Sequence, residues 1–470
     1  MKVRQLLDRM VAVTGLGAGP ELNALYREAI RIAWPAALEG LLVSIISAVD
    51  MMMVGAISPA AIAAVGLTSQ PRMILLILSQ ALNIGTTALV ARRRGAGNKK
   101  GVRACLDQAM YLSAFTGILI TLAGYFLAEP LMRFAGANDE TLQLAASYFR
   151  IISLGFIPVS LHLCVCAAFR GLGKTRVTMY THLLANLVNV AFNFLLIGGR
   201  LGFPRLEVNG AAIATVLGSI AGGILAIWFA VDHETGFGYR LRKPRFDRDT
   251  MSGLFKVGGS AAMESGFLRI GFLITNKIIA SLGTLALAAY HIVSQVSALS
   301  FTLGDGVASA GVAMVGMSLG AEDTAKARRS VYVARRLSVW LSFALMVVIA
   351  IARRGLAGLF TGDPAVIAAA SVGFLVVMLS IMPQNGRVVY AGCLRGAGDV
   401  RYVAATSLIG VGILRPLLTW LFCFPLSDVF PSFQLSATGP WFAFLVDAVL
   451  RNYLLALRVK GGAWTRVKLR

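Results

Sequence analysis

The sequence predicts an all-α polytopic membrane protein, with twelve transmembrane helices in two six-helix bundles related by a pseudo-twofold axis along the membrane normal. Three observations predict this fold: long apolar runs, a one-sided distribution of Lys and Arg, and an internal repeat. Of the 470 residues, 57% are apolar and only 14% are charged, whereas roughly a quarter of a soluble domain is charged. This composition excludes a disordered chain, a disulfide scaffold and an ordinary water-soluble enzyme.

The apolar runs supply the individual helices. A spanning helix needs roughly 20 apolar residues, and runs of that length bounded by charge, Gly or Pro occur twelve times. The second and eighth runs exceed what a bilayer requires, so we expect these helices to tilt or to project beyond the membrane. The predicted spans are 30–54, 59–91, 102–128, 140–168, 175–198, 208–231, 250–281, 283–318, 325–352, 364–391, 400–424 and 438–459.

The distribution of Lys and Arg predicts the orientation of these spans. With the N-terminus assigned to the cytoplasm, 33 Lys and Arg residues fall on the cytoplasmic side and five on the opposite side. Positive residues concentrate in the cytoplasmic loops of membrane proteins, so both termini are expected in the cytoplasm. The net charge of +22 is therefore a topology signal rather than an indication of a nucleic-acid partner.

The chain repeats itself at one constant offset, at which five landmarks coincide without gaps. A single coincidence would be uninformative, but one offset shared by five landmarks indicates two copies of one six-helix unit. The landmarks are Glu39 with Glu264, Gln70 with Gln295, Gly95 with Gly320, Pro158 with Pro383, and RGLGKTR (170–176) with RGAGDVR (395–401).

The repeat predicts the domain organisation. Because each unit contains an even number of spans, both copies enter the membrane from the same side, and such parallel repeats form two bundles with a cleft between them. We expect an N-terminal bundle over 1–232, a cytoplasmic linker over 233–249 and a C-terminal bundle over 250–470.

Ionisable residues inside a bilayer are costly, so each of them is a candidate functional residue. Asp50 lies on the first span, and Asn189 and Asn193 lie four residues apart on one face of the fifth span. Asn193 is predicted at about the depth of Asp50, where a carboxylate beside amide oxygens would hold H⁺ or a partly dehydrated Na⁺. The alternative is that the asparagines only join helices through hydrogen bonds.

The equivalent residues Glu39 and Glu264 are predicted to face the cleft, where two carboxylates would attract a cationic substrate. The alternative is that each carboxylate forms a structural ion pair, with Arg72 or Arg269 as candidate partners. The full set of residues predicted to line the substrate cleft is Glu39, Glu264, Gln70, Gln295, Arg72 and Asp305.

Arg415 on the eleventh span and Asp447 on the twelfth are predicted at similar depth. A buried ion pair between them is the favoured interpretation, and a switch that operates by protonation of Asp447 is the alternative.

No catalytic or transition-metal motif is found. The five cysteines form no CxxC pair, and the histidines lack the spacing of metal ligands, so neither a zinc site nor a disulfide framework is indicated. An HExxH motif is also absent from the sequence, so an intramembrane enzyme is not indicated and no cofactor is expected.

The first helix reads WPAALEGLLVSIISAVDMMMVG (34–55) and is followed by AIAAVGLTSQ (61–70), while RGLGKT and RGAGD follow the fourth and tenth spans. These motifs, in this order, resemble the multidrug and toxic compound extrusion (MATE) family along nearly the whole chain. The family opens with a similar helix that has a Pro near its start and an Asp at its outer end. Its members carry repeated cytoplasmic RGxGxT turns.

This resemblance implies a secondary active exporter in a bacterial inner membrane that expels organic compounds, often cations, in exchange for Na⁺ or H⁺. Asp50, Asn189 and Asn193 match polar positions of the family's coupling site, and Thr215 matches a position near it. Some members have Asp where Asn193 stands, so the coupling ion remains open. A flippase for a lipid-linked precursor is the alternative function, and a channel is less consistent with two bundles. We expect the protein to contact membrane lipid and to be a monomer.

Overall fold

A computed structural model describes residues 20–55, 57–232, 238, 246–426 and 435–467, and within these ranges the regular secondary structure is entirely helical. Most of the predicted linker, 233–249, lies outside the described residues, as do residues 1–19 with three of the predicted cytoplasmic positive charges.

The helices follow the predicted spans closely. In chain order they are α1 (Pro20–Gly55), α2 (Pro59–Gly95), α3 (Lys99–Phe126), α4 (Ala128–Phe134), α5 (Asp139–Leu154), α6 (Phe156–Gly171), α7 (Thr175–Leu196), α8 (Glu207–Val231), α9 (Arg248–Ala280), α10 (Thr284–Gly320), α11 (Thr324–Gly358), α12 (Pro364–Ala397), α13 (Val400–Cys423) and α14 (Leu435–Gly461).

Within the described residues, nine helices are long and apolar enough to cross a membrane, and the pair α5–α6 adds a tenth span if it is counted as one. The two other predicted spans are the helices α9 and α14, which carry buried charged residues such as Glu264 and Asp447. Every predicted span is thus a helix or a helix pair, and the all-α polytopic fold class is confirmed.

Two of the spans depart from a straight α-helix. The fourth predicted span is bent by 48° between α5 and α6, where Gly155 separates the two helices and Pro158 follows in the first turn of α6. Helix α13 contains a π-helical stretch at Leu408–Leu414. Pro416 lacks the N–H that would bond to the carbonyl of Gly412, and a π-helical turn is one way to absorb such a missing bond.

Large apolar side chains stand on the outside of the helices, as a lipid environment requires. Phe115 on α3, Ile224 on α8 and Ile351 on α11 are 64%, 65% and 82% exposed, respectively. Patches of such residues would be a liability in water, whereas lipid tails are as apolar as the side chains themselves.

The chain divides into two compact units. The first unit comprises residues 38–262, and one of its apolar clusters includes Phe149, Ile152 and Phe156 on α5 and α6. Close helix approaches in this unit rely on small residues. A Cβ added at Gly218 on α8 would lie 2.5 Å from the carbonyl oxygen of Ala185 and 3.0 Å from Cβ of Asn189, both on α7.

The second unit comprises residues 263–467 together with the beginning of α1, residues 20–37. Leu25, Ala29 and Ile32 of α1 join an apolar cluster with α10, α11, α12 and α14. The division between the units therefore falls inside α1 and α9. The domain boundary expected at the linker stays a prediction.

Candidate functional site

The polar residues predicted on the first and fifth spans lie together inside the first unit. Helix α1 supplies Asp50, and α7 supplies Asn189 and Asn193 from one face, because a separation of four residues is about one helical turn. Nδ2 of Asn193 donates a hydrogen bond to Oδ1 of Asp50 at 2.6 Å. Asn189 and Asn193 are buried, and Asp50 is partly buried.

The amide of Asn189 connects Asp50 to Thr215 on α8. It satisfies its neighbours best with its nitrogen 2.8 and 3.1 Å from the two carboxylate oxygens of Asp50. Its oxygen then accepts from the backbone N and the hydroxyl of Thr215, both at 3.2 Å. In the opposite orientation, with nitrogen and oxygen exchanged, the amide donates to the hydroxyl of Thr215 and points its oxygen at Asp50.

Oxygen atoms at this site exceed the hydrogen-bond donors available to them. The buried Oδ1 of Asn193 has no hydrogen-bond partner among the described residues. Burying an unpaired polar atom is unfavourable, and a cation beside Asp50 would satisfy such an oxygen. Among the described residues, the cationic side chain that acts on the charge of Asp50 is Arg72 on α2. The Asp50 carboxylate, the amide oxygens of Asn189 and Asn193, and the hydroxyl of Thr215 are therefore the atoms here that fit Na⁺ or H⁺.

Another carboxylate of the first unit, that of Glu39, is buried and only 7% exposed. Nη1 of Arg170, in the last turn of α6, donates to Oε1 of Glu39 at 3.1 Å. The hydroxyl of Thr178 on α7 donates to Oε2 at 2.6 Å, and Nε2 of His182 lies 3.2 Å from Oε1. Glu39 thus ties α1 to α6 and α7.

Glu264 has the equivalent arrangement inside the second unit. Nη2 of Arg395 donates to Oε1 of Glu264 at 2.6 Å, and the hydroxyl of Ser407 donates to the same oxygen at 3.2 Å. At the offset of the repeat, Arg395 corresponds to Arg170 and Ser407 to His182. The repeat therefore extends to the contacts of the buried carboxylate.

Both carboxylates are therefore ion-paired, as the structural alternative expected, but with Arg170 and Arg395 rather than with Arg72 or Arg269. The two arginines belong to the RGLGKTR and RGAGDVR segments, and each lies 131 residues after its glutamate. A role of Glu39 and Glu264 in substrate binding stays a prediction.

The other residues predicted to line the cleft are not brought together within one unit. Gln70 is exposed and Arg72 partly buried on α2 of the first unit, whereas Gln295 and Asp305 are exposed on α10 of the second unit.

Asp447 and Arg415 form the predicted ion pair deep inside the second unit. Arg451 is a third member of this buried group of charges. The prediction missed it because the sequence analysis assigned Arg451 to the cytoplasmic end of the chain. Its Nε donates to Oδ1 of Asp447 at 2.7 Å, and its side chain is buried. Arg451 lies one turn after Asp447 on α14, a spacing that would have revealed the contact. Gly410 in the π-helical stretch leaves room for both side chains.

Multiple apolar spans, together with a carboxylate held among amides inside a helical unit, define a polytopic membrane transporter. The sequence profile of the MatE family matches residues 35–195 and again residues 261–421, more than half of the chain. The chain therefore belongs to the MATE family of multidrug efflux transporters.

Individual relatives agree with this assignment. The probable multidrug resistance protein NorM of Thermotoga maritima is 26% identical over 451 residues, covering 95% of this chain and 94% of that protein. The multidrug resistance protein PmpM of Pseudomonas aeruginosa is 28% identical over 408 residues, covering 85% and 84%. The structure of the Vibrio cholerae MATE transporter VcmN shares the fold, with a TM-score of 0.87 at 18% identity over 96% of this chain and 99% of that one.

Proposed function

We propose that this transporter exports organic solutes, chiefly organic cations, in exchange for Na⁺ or H⁺ by alternating access. The observation that carries the proposal is the site in which Asp50 faces Asn189 and Asn193, with one amide oxygen left unpartnered among the described residues. An ionisable residue inside a membrane protein is by default a functional residue, and here its surroundings suit a cation.

The Asn189 amide can take two orientations, which give the proposed site two hydrogen-bonding arrangements. When Asp50 is ionised and unoccupied, the amide nitrogen donates to the carboxylate and the oxygen accepts from Thr215. When a cation is bound, the oxygen is favoured near Asp50, because an amide oxygen is attracted to Na⁺ and accepts a hydrogen bond from a protonated carboxyl. Since Asp50, Asn189 and Thr215 belong to three helices, occupancy would change how α1, α7 and α8 are joined.

Coupling requires that the cation and the organic substrate stabilise different conformations, because a ligand shifts an equilibrium only through its difference in affinity for the two states. In the proposed cycle, cation binding at Asp50 disfavours the substrate-bound state and drives release outside the cell. The cation then leaves to the cytoplasm. The proposed orientation places both termini in the cytoplasm of a bacterial cell, and a monomer suffices for this cycle.

The test is efflux of a fluorescent organic cation from proteoliposomes after a Na⁺ gradient or a pH gradient is imposed separately. We expect one gradient to drive efflux in the wild type and Asp50→Asn to reduce it at least tenfold, because the neutral amide retains the shape but loses the charge that binds the cation. Asp249→Asn, the same substitution in the exposed first turn of α9, is the matched control.

Full coupled efflux in folded Asp50→Asn would contradict the proposed site. Absence of efflux under either gradient in the wild type would contradict the cargo and favour a lipid-linked substrate.

A further inference from the structure

Two histidines and a cysteine converge inside the first unit, outside the proposed coupling site. His162 and Cys166 lie four residues apart on α6, and His182 faces them from α7. One ligand atom from each residue lies within 4.8 Å of the other two. His162 and Cys166 are buried and His182 is partly buried. A separation of four residues places His162 and Cys166 on one helical face, one turn apart.

One nitrogen of each imidazole in this cluster lacks a hydrogen-bond partner among the described residues. Nε2 of His162 and Nε2 of His182 are buried and make no hydrogen bond among the described residues. Nε2 of His182 lies 3.2 Å from Oε1 of Glu39, yet the geometry is not that of a hydrogen bond. His162 is only 4% exposed, and burying an unpaired polar atom is unfavourable. Nitrogen atoms left unpaired in this way are available to a cation.

We propose that His162, Cys166 and His182 form a Zn²⁺ site, with Oε1 of Glu39 as the fourth ligand. Imidazole nitrogen, thiolate sulfur and carboxylate oxygen are the ligands that Zn²⁺ takes in proteins, at about 2.0–2.3 Å in a tetrahedral arrangement. On binding, Cys166 releases its thiol proton to solvent. Two neutral imidazoles, one thiolate and one carboxylate then supply the ligand set, in which the hard carboxylate oxygen favours Zn²⁺ over the soft ion Cu⁺.

The residues around the cluster leave space for the ligands, and the two oxygens of the Glu39 carboxylate have different partners. Oε2 of Glu39 keeps its hydrogen bond from Thr178, while Oε1, which accepts from Nη1 of Arg170 at 3.1 Å, offers its second lone pair to the metal. Beside the imidazole of His162 stands Gly222 on α8, where an added Cβ would lie only 2.8 Å from Cε1 of the ring. The glycine thus makes room for the His162 ring next to α8.

The cluster is specific to the first unit. At the offset of the repeat, the corresponding positions are Arg387, Ala391 and Ser407, which offer neither an imidazole nor a thiolate. A feature required merely to hold the repeated fold together would be expected in both units. The cluster was not predicted because the cysteines form no CxxC pair, although the four-residue spacing of His162 and Cys166 was an available signal.

The test is titration of the full-length, reduced protein in detergent with Co²⁺, a spectroscopic substitute for Zn²⁺. We expect one Co²⁺ per chain, with a thiolate-to-cobalt charge-transfer band in the near ultraviolet that excess Zn²⁺ abolishes. Cys166→Ser should lose this band. Cys164→Ser, a buried thiol two residues away with Ser113 as its neighbour, should retain it.

The affinity for Zn²⁺, measured by competition with a chelating dye, should fall about 100-fold or more in Cys166→Ser, because loss of an outer-shell group alone weakens binding by about 10- to 100-fold. His162→Gln should weaken binding similarly. Thermal melts report folding: Zn²⁺ should raise the melting temperature of the wild type but not of folded Cys166→Ser.

Absence of a charge-transfer band in the wild type, its persistence in Cys166→Ser, or binding of Cu⁺ but not of Zn²⁺ would overturn the proposal. These measurements need no transport, so their failure would leave the proposed exporter intact.

Discussion

Asp447 is the residue around which the buried charges of the second unit are arranged. Its carboxylate accepts from both Arg415 and Arg451, and its side chain is fully buried. The guanidinium of Arg415 also lies 4.7 Å from the ring centre of Phe444 and 5.3 Å from that of Phe272. It therefore makes cation–π contacts with both rings. One carboxylate thus holds two cations that have little access to water.

Asp447→Asn should lower the free energy of unfolding by about 3–5 kcal/mol, because removing one partner of a buried ion pair leaves uncompensated charge. The measurement is unfolding in SDS and thermal melting in detergent. Glu322→Gln, at an exposed carboxylate of the same unit, should change stability by less than about 0.5 kcal/mol. Wild-type stability with altered transport in Asp447→Asn would instead support the protonation switch.

Single residues show where sequence reasoning reaches its limit. The pairing of Arg415 with Asp447 could be predicted because both interrupt apolar helices at similar depth. Arg451 was grouped with the terminal basic residues, although its position one helical turn after Asp447 was an available signal. The partners of Glu39, by contrast, lie on α6 and α7, so far along the chain that local spacing carries no information about them.

At the scale of elements, the crossing of α7 and α8 positions the proposed coupling site. Gly218 permits the close approach, with the backbone of Ala185 against it, and Asn189 and Thr215 make their contact one turn away. The distance between these two helices therefore determines whether the amide of Asn189 can reach both Asp50 and Thr215.

Gly218→Ala should destabilise the protein by about 1–3 kcal/mol, because the new methyl group overpacks the crossing, and should also reduce cation-coupled efflux. The matched control is Gly66→Ala in the same unit, where an added Cβ meets nothing within 4 Å. Thermal melting and proteoliposome efflux check both effects. Equal behaviour of the two variants would show that the crossing tolerates a wider separation.

The start of α9 is fixed by an aspartate outside the membrane spans. Asp247 accepts from the hydroxyl of Thr250 and from the amide of Asp249, and Arg93 of α2 lies 3.7 Å away. The Thr250 hydroxyl above all, followed by the Asp249 amide and Arg93, lowers the pKa of Asp247 from its ordinary value. This contact joins α2 to α9.

A lowered pKa in the folded state means that ionised Asp247 stabilises the fold above its unfolded-state pKa of about 4 and loses this contribution as the pH falls below it. Asp247→Asn should therefore melt at a lower temperature than the wild type near pH 7. The two proteins should converge below about pH 4. Melting curves in detergent between these pH values provide the measurement, and a constant difference at all pH values would contradict the prediction.

The elements themselves followed from composition, because a run of apolar residues long enough to cross a bilayer has few alternatives to a helix. The break at Gly155 and the π-helical stretch before Arg415 were not predicted. Gly155 and Pro158 signal a weak point, but whether a helix bends there depends on the neighbours against which it packs. Pro416 similarly indicates a lost hydrogen bond without indicating how the helix absorbs it.

At the scale of the whole molecule, the predicted count of positive residues on the cytoplasmic side needs a correction. Arg335 and Arg451 were counted among cytoplasmic positive charges, but both are buried, 3% and 1% exposed. The excess on the predicted cytoplasmic side remains large without them, so the predicted orientation of the termini is unchanged. The repeat was a stronger signal than the charges, since the family profile matches the two halves separately.

The two copies of the buried Glu–Arg pair also bear on the history of the chain. Glu39 with Arg170 and Glu264 with Arg395 occupy equivalent positions of the repeat, from which we infer that this pair preceded the duplication and fusion of the two halves. The positions that correspond to Asp50, Asn189 and Asn193 are Thr275, Leu414 and Leu418. The carboxylate–amide site therefore arose, or was lost in one copy, after the fusion.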